Sequence, residues 1–489
     1  MNTSRGVVLK GFADIMVMAS GLITFPILAR YVGADGYGAY GQVNTIVAFV
    51  IPFAALGLGG AMVRFFSVQE WTEGVRNQFV KIVFFVVFVA GVVSLLMMKG
   101  APMLNRFFLN WEQGTELFRW GALLIVFGAM EELLINLLRS RQKLVHFSLI
   151  QLSQTCMIIG VTFTLLPLGY GLVDLLKATL AIKVGILSVF FVGFWAWDRP
   201  LHKQTSITDV SMRRMIQFGL PVAIAGLGLW MMNLGNRLVI GHFLTAEALG
   251  LYGAVYAFSC LLVAVNAPLN LPLYPRLMRA IASGDSDGVA REVRMFHRYA
   301  TLVLVPCAVF LVVIMKPLLL LMGGGSFHVD VLLVTMIVGA IFLDQWNSIA
   351  HYAVLCADQV AFSQNAWLIT GALNVGGNLF AVPLFGLHGA AFVTLATFLL
   401  LEGMFFRKAR EFVPLGFLYR FDVTLKAFLS SMVGAGIIWF WMGDSELTAL
   451  KLIICTMMFG TIYLFSMILI REVGKSEVDL IANALFMKR

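Results

Sequence analysis

The most informative side chains are charges within or at the ends of long apolar runs that connecting loops do not explain: Lys10, Asp14, Arg30, Glu131, Glu132, Lys177, Lys183, Arg237 and Asp344. A charge at the centre of a bilayer costs about 2.5 to 3.5 kcal/mol on insertion scales, and less near its edges. Such residues should therefore face an internal cavity or a partner charge. The cations Lys183, Lys177, Arg237 and Arg30 have the chemistry to hold an anionic headgroup, a diphosphate being the obvious candidate, because ammonium and guanidinium groups bind phosphate oxygens through charge-assisted hydrogen bonds. The acids Asp14, Glu131, Glu132 and Asp344 could take up a proton or a cation such as Na+, or could neutralise a lysine.

Each position also has a structural reading. Lys183 lies about ten residues into the apolar run 173–196, near the midplane and too deep for easy snorkelling. Lys177 is nearer the outer surface, with Asp174 as an i,i+3 partner. Arg30 and Arg237 each end the first span of a half, where an interface anchor or a helix C-cap would account for them. Lys10 and Asp14 are spaced to neutralise each other. Cys156, Cys260, Cys307, Cys356 and Cys455 fall within or beside spans without a C-x-x-C pattern, so neither metal nor disulfide chemistry is suggested, and no cofactor motif appears.

The elements that must position these residues are membrane helices. The chain has 489 residues, 60% hydrophobic and only 12% charged, with mean hydropathy +0.89. A soluble globule has about a quarter of its residues charged, so this composition describes a polytopic membrane protein. Apolar runs long enough for a ~30 Å core occur at 7–29, 41–63, 82–98, 120–138, 146–166, 173–196, 216–239, 251–273, 300–322, 331–355, 366–383, 389–406, 423–442 and 449–470. They predict an all-α integral membrane fold of fourteen transmembrane helices. The alternation of a membrane β-barrel is absent.

With the N-terminus inside, 26 of the 35 Lys and Arg residues fall in cytoplasmic segments, which predicts both termini cytoplasmic. The net charge of +9 is then explained by topology, and no nucleic-acid partner is needed. The first apolar run is too long for a signal-peptide core and lacks an A-x-A site, so it is expected to remain as a span.

An internal repeat organises the spans. Gly33-Ala34-Asp35-Gly36-Tyr37-Gly38-Ala39-Tyr40-Gly41 recurs 212 residues later as Thr245-Ala246-Glu247-Ala248-Leu249-Gly250-Leu251-Tyr252-Gly253, read as a turn with a shared G-x-Y-G. Gly74-Val75 pairs with Gly288-Val289, and Gly171-Leu172 with Gly386-Leu387, at offsets of 214 and 215. Six spans separate the two turns, so the halves are parallel repeats around a central cavity that rocking would open to either side in turn. The expected domains are a six-helix bundle over 1–200, a second over 201–410, and two further helices with a cytoplasmic tail over 411–489. Pro52 and Pro268 occupy nearly equivalent positions in the second helix of each half, as gate bends or as ordinary packing kinks. The charges are not duplicated: at the repeat offsets Lys183 faces Phe398, Asp344 faces Ala129 and Asp14 faces Gly226.

Several motifs are declined. Gly474-Lys475-Ser476 lacks the first glycine of a P-loop, where Leu469 stands. Asp285-Ser286-Asp287 has the D-x-D form of sugar-nucleotide enzymes but reads as a capped turn. No H-E-x-x-H, G-x-S-x-G or dinucleotide fingerprint occurs.

The segments "LITFPILARYVGADGYGAYGQV" and "NRLVIGHFLTAEALGLYGAVYAF", with the "PLGYG" and "PLFGLHGAA" turns, resemble those of Wzx-type polysaccharide flippases. These form the polysaccharide transporter branch of the multidrug/oligosaccharidyl-lipid/polysaccharide (MOP) superfamily. The resemblance covers essentially the whole chain. Where that family often has Asp before the seventh-span arginine, this chain has Asn236-Arg237. The resemblance implies flipping of an undecaprenyl-diphosphate-linked oligosaccharide from the cytoplasmic to the outer leaflet of the bacterial cytoplasmic membrane, driven by H+ or Na+. Its partners would be the polyprenyl-linked glycan, membrane lipids and polysaccharide polymerase machinery. Lys183, with Lys177 and Arg237, would attract the diphosphate; Asp14, Glu131 or Asp344 would couple to the ion.

Other readings remain open at this level. A lipid II flippase is not separated by spacing. A cation-coupled multidrug exporter shares the fold, but helices 13 and 14 and the cationic Lys183 count against it. A membrane polymerase or ligase of lipid-linked sugars would need a catalytic outer domain, and the longest outer loop, about 99–117, leaves little room for one. A scaffold without transport would not need charges in mid-membrane.

Overall fold

The structure is a computed structural model and describes residues 2–197, 211–413, 421–442, 448–470 and 472. The tail carrying Gly474-Lys475-Ser476 and most of the connection between the two expected bundles lie outside these residues. In chain order the helices are α1 (Asn2–Ala54), α2 (Leu58–Phe66), α3 (Glu73–Phe108), α4 (Gly114–Ser140), α5 (Leu144–Leu165), α6 (Leu172–Trp197), α7 (Met212–Trp230) and α8 (Asn236–Phe243). They continue as α9 (Ala246–Ser259), α10 (Leu261–Ala282), α11 (Ser286–Gly323), α12 (Val331–Trp346), α13 (Ser348–Cys356), α14 (Val360–Ala409), α15 (Phe421–Met442) and α16 (Ala449–Leu469).

Among the described residues, 12 helical stretches are long and apolar enough to cross a membrane. Two of them, Leu9–Ala54 with 46 residues and Val360–Ala409 with 50, are far longer than a bilayer requires. Each is two spans joined at a glycine with left-handed φ: Gly33 (φ 67°, ψ −175°) and Gly386 (φ 59°, ψ −138°). Only glycine adopts that conformation without strain, so the chain breaks there. Counting each stretch as two spans brings the 12 to fourteen, the number hydropathy predicts.

The turn read in the repeated motif falls at its first residue, and the G-x-Y-G is helical. The break lies at Gly33 in one copy and at Leu244 and Thr245 in the other, while Gly38 to Gly41 and Gly250 to Gly253 are helical. The bend expected at Pro52 comes just after it, where Leu56 and Gly57 have φ of 51° and 62°. In the second half the helix breaks at Cys260, ahead of Pro268. The expected outer loop 99–117 is shorter than its sequence suggests, because α3 continues to Phe108 and α4 begins at Gly114. Asp285 does cap: its side chain accepts from Gly288 N–H at 2.8 Å and opens α11.

Contacts divide the chain into two compact units, Met1–Gly253 with Trp367–Ala390, and Ala254–Ala366 with Ala391–Arg489. Lipid is as apolar as leucine, so burial drives insertion but not helix association, and close fit holds helices together. In the first unit that fit is made by the repeated glycines. A Cβ on Gly38 would stand 2.0 Å from the Ala246 carbonyl oxygen, and one on Gly250 would stand 2.1 Å from that of Ala34. The two copies of the motif therefore meet backbone to backbone. Around them Val43, Met62, Phe79, Ile82, Leu117 and Phe118 form the buried core. In the second unit α15 and α16 pack on α11, where Tyr463 donates to the Leu302 carbonyl at 2.9 Å and Phe459 lies against Phe310.

Candidate functional site

The deepest cation predicted from the sequence is held by an acid on another helix. Lys183, on α6, forms an ion pair with Glu131 on α4, and Gln154 on α5 donates to the same carboxylate oxygen at 3.5 Å. The two side chains are only 18% and 16% exposed. Pairing makes the site neutral overall, so both charges can occupy an apolar span that would reject either alone. The local pairs also form: Lys10 bonds Asp14, and Lys177 meets Asp174 at 3.0 Å. Asp174 also accepts from Gly171 N–H at 3.4 Å, and the Lys177 ammonium lies 5.4 Å from the centroid of the Trp120 ring. At 44% and 40% exposure, the Lys177 pair contributes no more than about 0.5 kcal/mol.

Arg237 occupies a different place. Between α7 and α8 the backbone runs as a π-helical turn, Met231–Gly235, directly before Asn236 and Arg237. Such turns re-aim the side chains that follow and recur at functional sites. Arg237 lines a cavity of about 350 Å³ together with Thr24, Tyr37, Tyr40, Asn44 and Thr45. Asn236 donates to the Tyr252 hydroxyl at 2.7 Å, with both residues fully buried. The two motif tyrosines thus have distinct jobs: Tyr40 faces the cavity, and Tyr252 anchors the residue beside Arg237. Among the described residues this lining includes neither Lys177 nor Lys183. Arg30 is exposed, just before the break at Gly33. The structure therefore distributes the four cations, with Arg237 in the cavity, Lys183 between helices, and Lys177 and Arg30 more open. Glu132 lines a smaller space of about 200 Å³ with Phe49, Pro52 and Trp230.

Asp344 heads a cluster in the second unit whose other members sequence reasoning missed. His351 Nε2 lies 3.1 Å from both carboxylate oxygens of Glu402. Asn347 donates to Glu402 Oε2 at 2.6 Å, and Gln345 donates to Asp344 Oδ2 at 2.5 Å. The signal that could have found Glu402 is its place as a lone acid in the apolar run Phe398 to Phe406. Its pairing with His351, 51 positions away, leaves no trace in spacing.

Comparisons with known proteins agree with this fold. A family model described as "Polysaccharide biosynthesis protein" matches residues 27–331. The "Probable low-salt glycan biosynthesis flippase Agl15" of Haloferax volcanii is 17% identical over 420 residues, 86% of each chain. The solved structure "Lipid II flippase MurJ, inward closed conformation" is similar at TM-score 0.71 and 15% identity, over 95% of this chain and 99% of that one. An inward-facing multidrug resistance MATE transporter of the MOP superfamily follows at TM-score 0.64 and 13% identity, over 82% and 97%. At these identities the two structures speak for the fold alone.

Proposed function

The chain belongs to the polysaccharide biosynthesis protein family of membrane flippases, and from that premise we propose that it moves an undecaprenyl-diphosphate-linked oligosaccharide from the cytoplasmic to the outer leaflet by alternating access. The observation that carries this reading is the ion pair of Lys183 and Glu131 inside the membrane spans. A diphosphate brings more charge and more oxygens than one carboxylate, and so takes Lys183 from Glu131. Glu131, left without a counter-charge in a low-dielectric setting, then takes up a proton or cation. Cargo loading and ion uptake are linked by competition for one lysine.

The remaining cations fill supporting roles. Arg237, with the hydroxyls and amide around it, offers hydrogen bonds to the sugar headgroup. Lys177 and Arg30, toward the outer ends of their spans, receive the diphosphate on that side. Asp14 is a further coupling group. The excess of Lys and Arg in alternate loops supports an orientation with both termini cytoplasmic, in the bacterial cytoplasmic membrane. No chemical step is required, so the protein acts as a transporter and delivers its cargo to polysaccharide polymerase machinery outside. Lipid II, a cargo of the same diphosphate headgroup chemistry, is the second reading.

The test is complementation of a strain lacking its own oligosaccharide flippase. Lys183→Ala should abolish rescue while the protein remains in the membrane at wild-type level. Full rescue by that variant would remove Lys183 from the mechanism.

A further inference from the structure

We propose that Asp344, His351 and Glu402 form a binding site for a divalent transition-metal cation within the second unit. α12 stops at Trp346 and α13 starts at Ser348, and Asp344 and His351, seven positions apart, lie on one face about two turns from each other. Glu402 comes from α14. One donor atom from each side chain lies within 4.8 Å of the other two. That is the scale of a coordination sphere, in which ligands about 2.0 to 2.2 Å from a metal sit roughly 3 to 4.5 Å from one another.

The donors are held in place. Asn347 and Gln345 each bond one oxygen of a carboxylate, at 2.6 Å and 2.5 Å; the other Glu402 oxygen is the one His351 Nε2 meets at 3.1 Å, a contact that a cation between the two would replace. The His351 ring stacks on Phe405 with centroids 3.9 Å apart, one turn from Glu402 on the same helix. Such outer contacts are what orient metal ligands. Asn266 joins the network through Gln345, to whose carbonyl its amide donates at 3.0 Å. Its own Oδ1, in a fully buried side chain, accepts no hydrogen bond among the described residues.

Charge balance gives the sign of the ligand. When ionised, the two carboxylates carry two negative charges against at most one on a protonated imidazole, an imbalance that a buried cluster must remove by taking up protons or a cation. A divalent cation with neutral His351 closes the deficit. The donor types give its class: one imidazole nitrogen with carboxylate oxygens suits Zn2+ and its first-row neighbours, whereas Na+, Mg2+ and Ca2+ are matched by oxygen shells. The site does not depend on the cargo and stands whether or not the flippase reading does.

The test uses the purified full-length protein in detergent, titrated calorimetrically with Zn2+ and, separately, with Co2+ followed by visible absorption. Wild type should bind one equivalent saturably and develop the d–d bands of a nitrogen and oxygen site. His351→Gln and Glu402→Gln should each weaken Zn2+ more than about 100-fold, and Asn347→Ala about 10-fold, as expected for outer-shell loss. His242→Gln, a histidine that instead contacts the Phe107 carbonyl in the first unit, should leave binding unchanged. No saturable binding by wild type, binding unaltered in His351→Gln and Glu402→Gln, or displacement of Zn2+ by a 100-fold excess of Na+ would each overturn the assignment. Should a variant lose its folded, monodisperse form, the wild-type Co2+ spectrum decides alone, since its absence contradicts the site.

Discussion

Lys183 and Glu131 can be separated into a structural pair and a functional one by replacing both. Removing Lys183 alone strands a mostly buried carboxylate, a defect that costs about 3 to 5 kcal/mol when burial is complete and correspondingly less here. Lys183→Met with Glu131→Leu removes both charges and should recover the melting temperature in detergent to within a few degrees of wild type, because isosteric apolar replacement of an internal pair is close to neutral. Transport by the same double variant should stay at least about tenfold below wild type, a loss of ~1.4 kcal/mol. Recovery of both stability and transport would make the pair purely structural. The pairs of Lys177 with Asp174 and Lys10 with Asp14 were legible in the sequence, because three or four positions along one helix guarantee proximity. The Lys183 pair, 52 positions apart, was visible only as one option among several, since it depends on how α4 and α6 face each other. His351 and Glu402, 51 positions apart, leave no trace in spacing for the same reason.

Helix contacts explain the repeated glycines. Gly38→Val places a side chain where the Ala246 carbonyl already stands, so α1 and α9 must part. The expected cost is about 1 to 3 kcal/mol, seen as a melting temperature several degrees lower, and Gly250→Val should behave alike. Gly41→Ala, with nothing within 4 Å of its Cβ, should be neutral to within about 0.5 kcal/mol. Equal melting temperatures for Gly38→Val and wild type would refute the close contact. Hydropathy made the fourteen spans legible because each apolar run is long and bounded by charge or by a glycine-containing turn. It also pointed to the breaks at Gly33 and Gly386, both in glycine-rich turns of the repeat. The G-x-Y-G itself was read as a turn because glycine marks turns in soluble proteins. Inside a membrane the same residue is used for close helix approach, and composition does not distinguish the two uses.

At the level of the whole molecule, an even number of spans returns the chain to the face on which it began. Alkaline phosphatase, which is active only outside the cytoplasm, should therefore be active when fused within 324–330 and inactive when fused after Arg489 or within 141–143. The reverse pattern would invert the orientation and with it the assignment of inner and outer cations. The most direct measurement of cargo movement reconstitutes the purified protein into liposomes with a fluorescent undecaprenyl-diphosphate-linked oligosaccharide and follows the fraction of headgroups reached by an impermeant quencher. Wild-type protein should equilibrate the two leaflets at least about tenfold faster than Lys183→Ala, with lipid II moved no faster than in protein-free vesicles. Equilibration of the oligosaccharide at the protein-free rate would contradict the account, and faster movement of lipid II alone would transfer it to the other cargo.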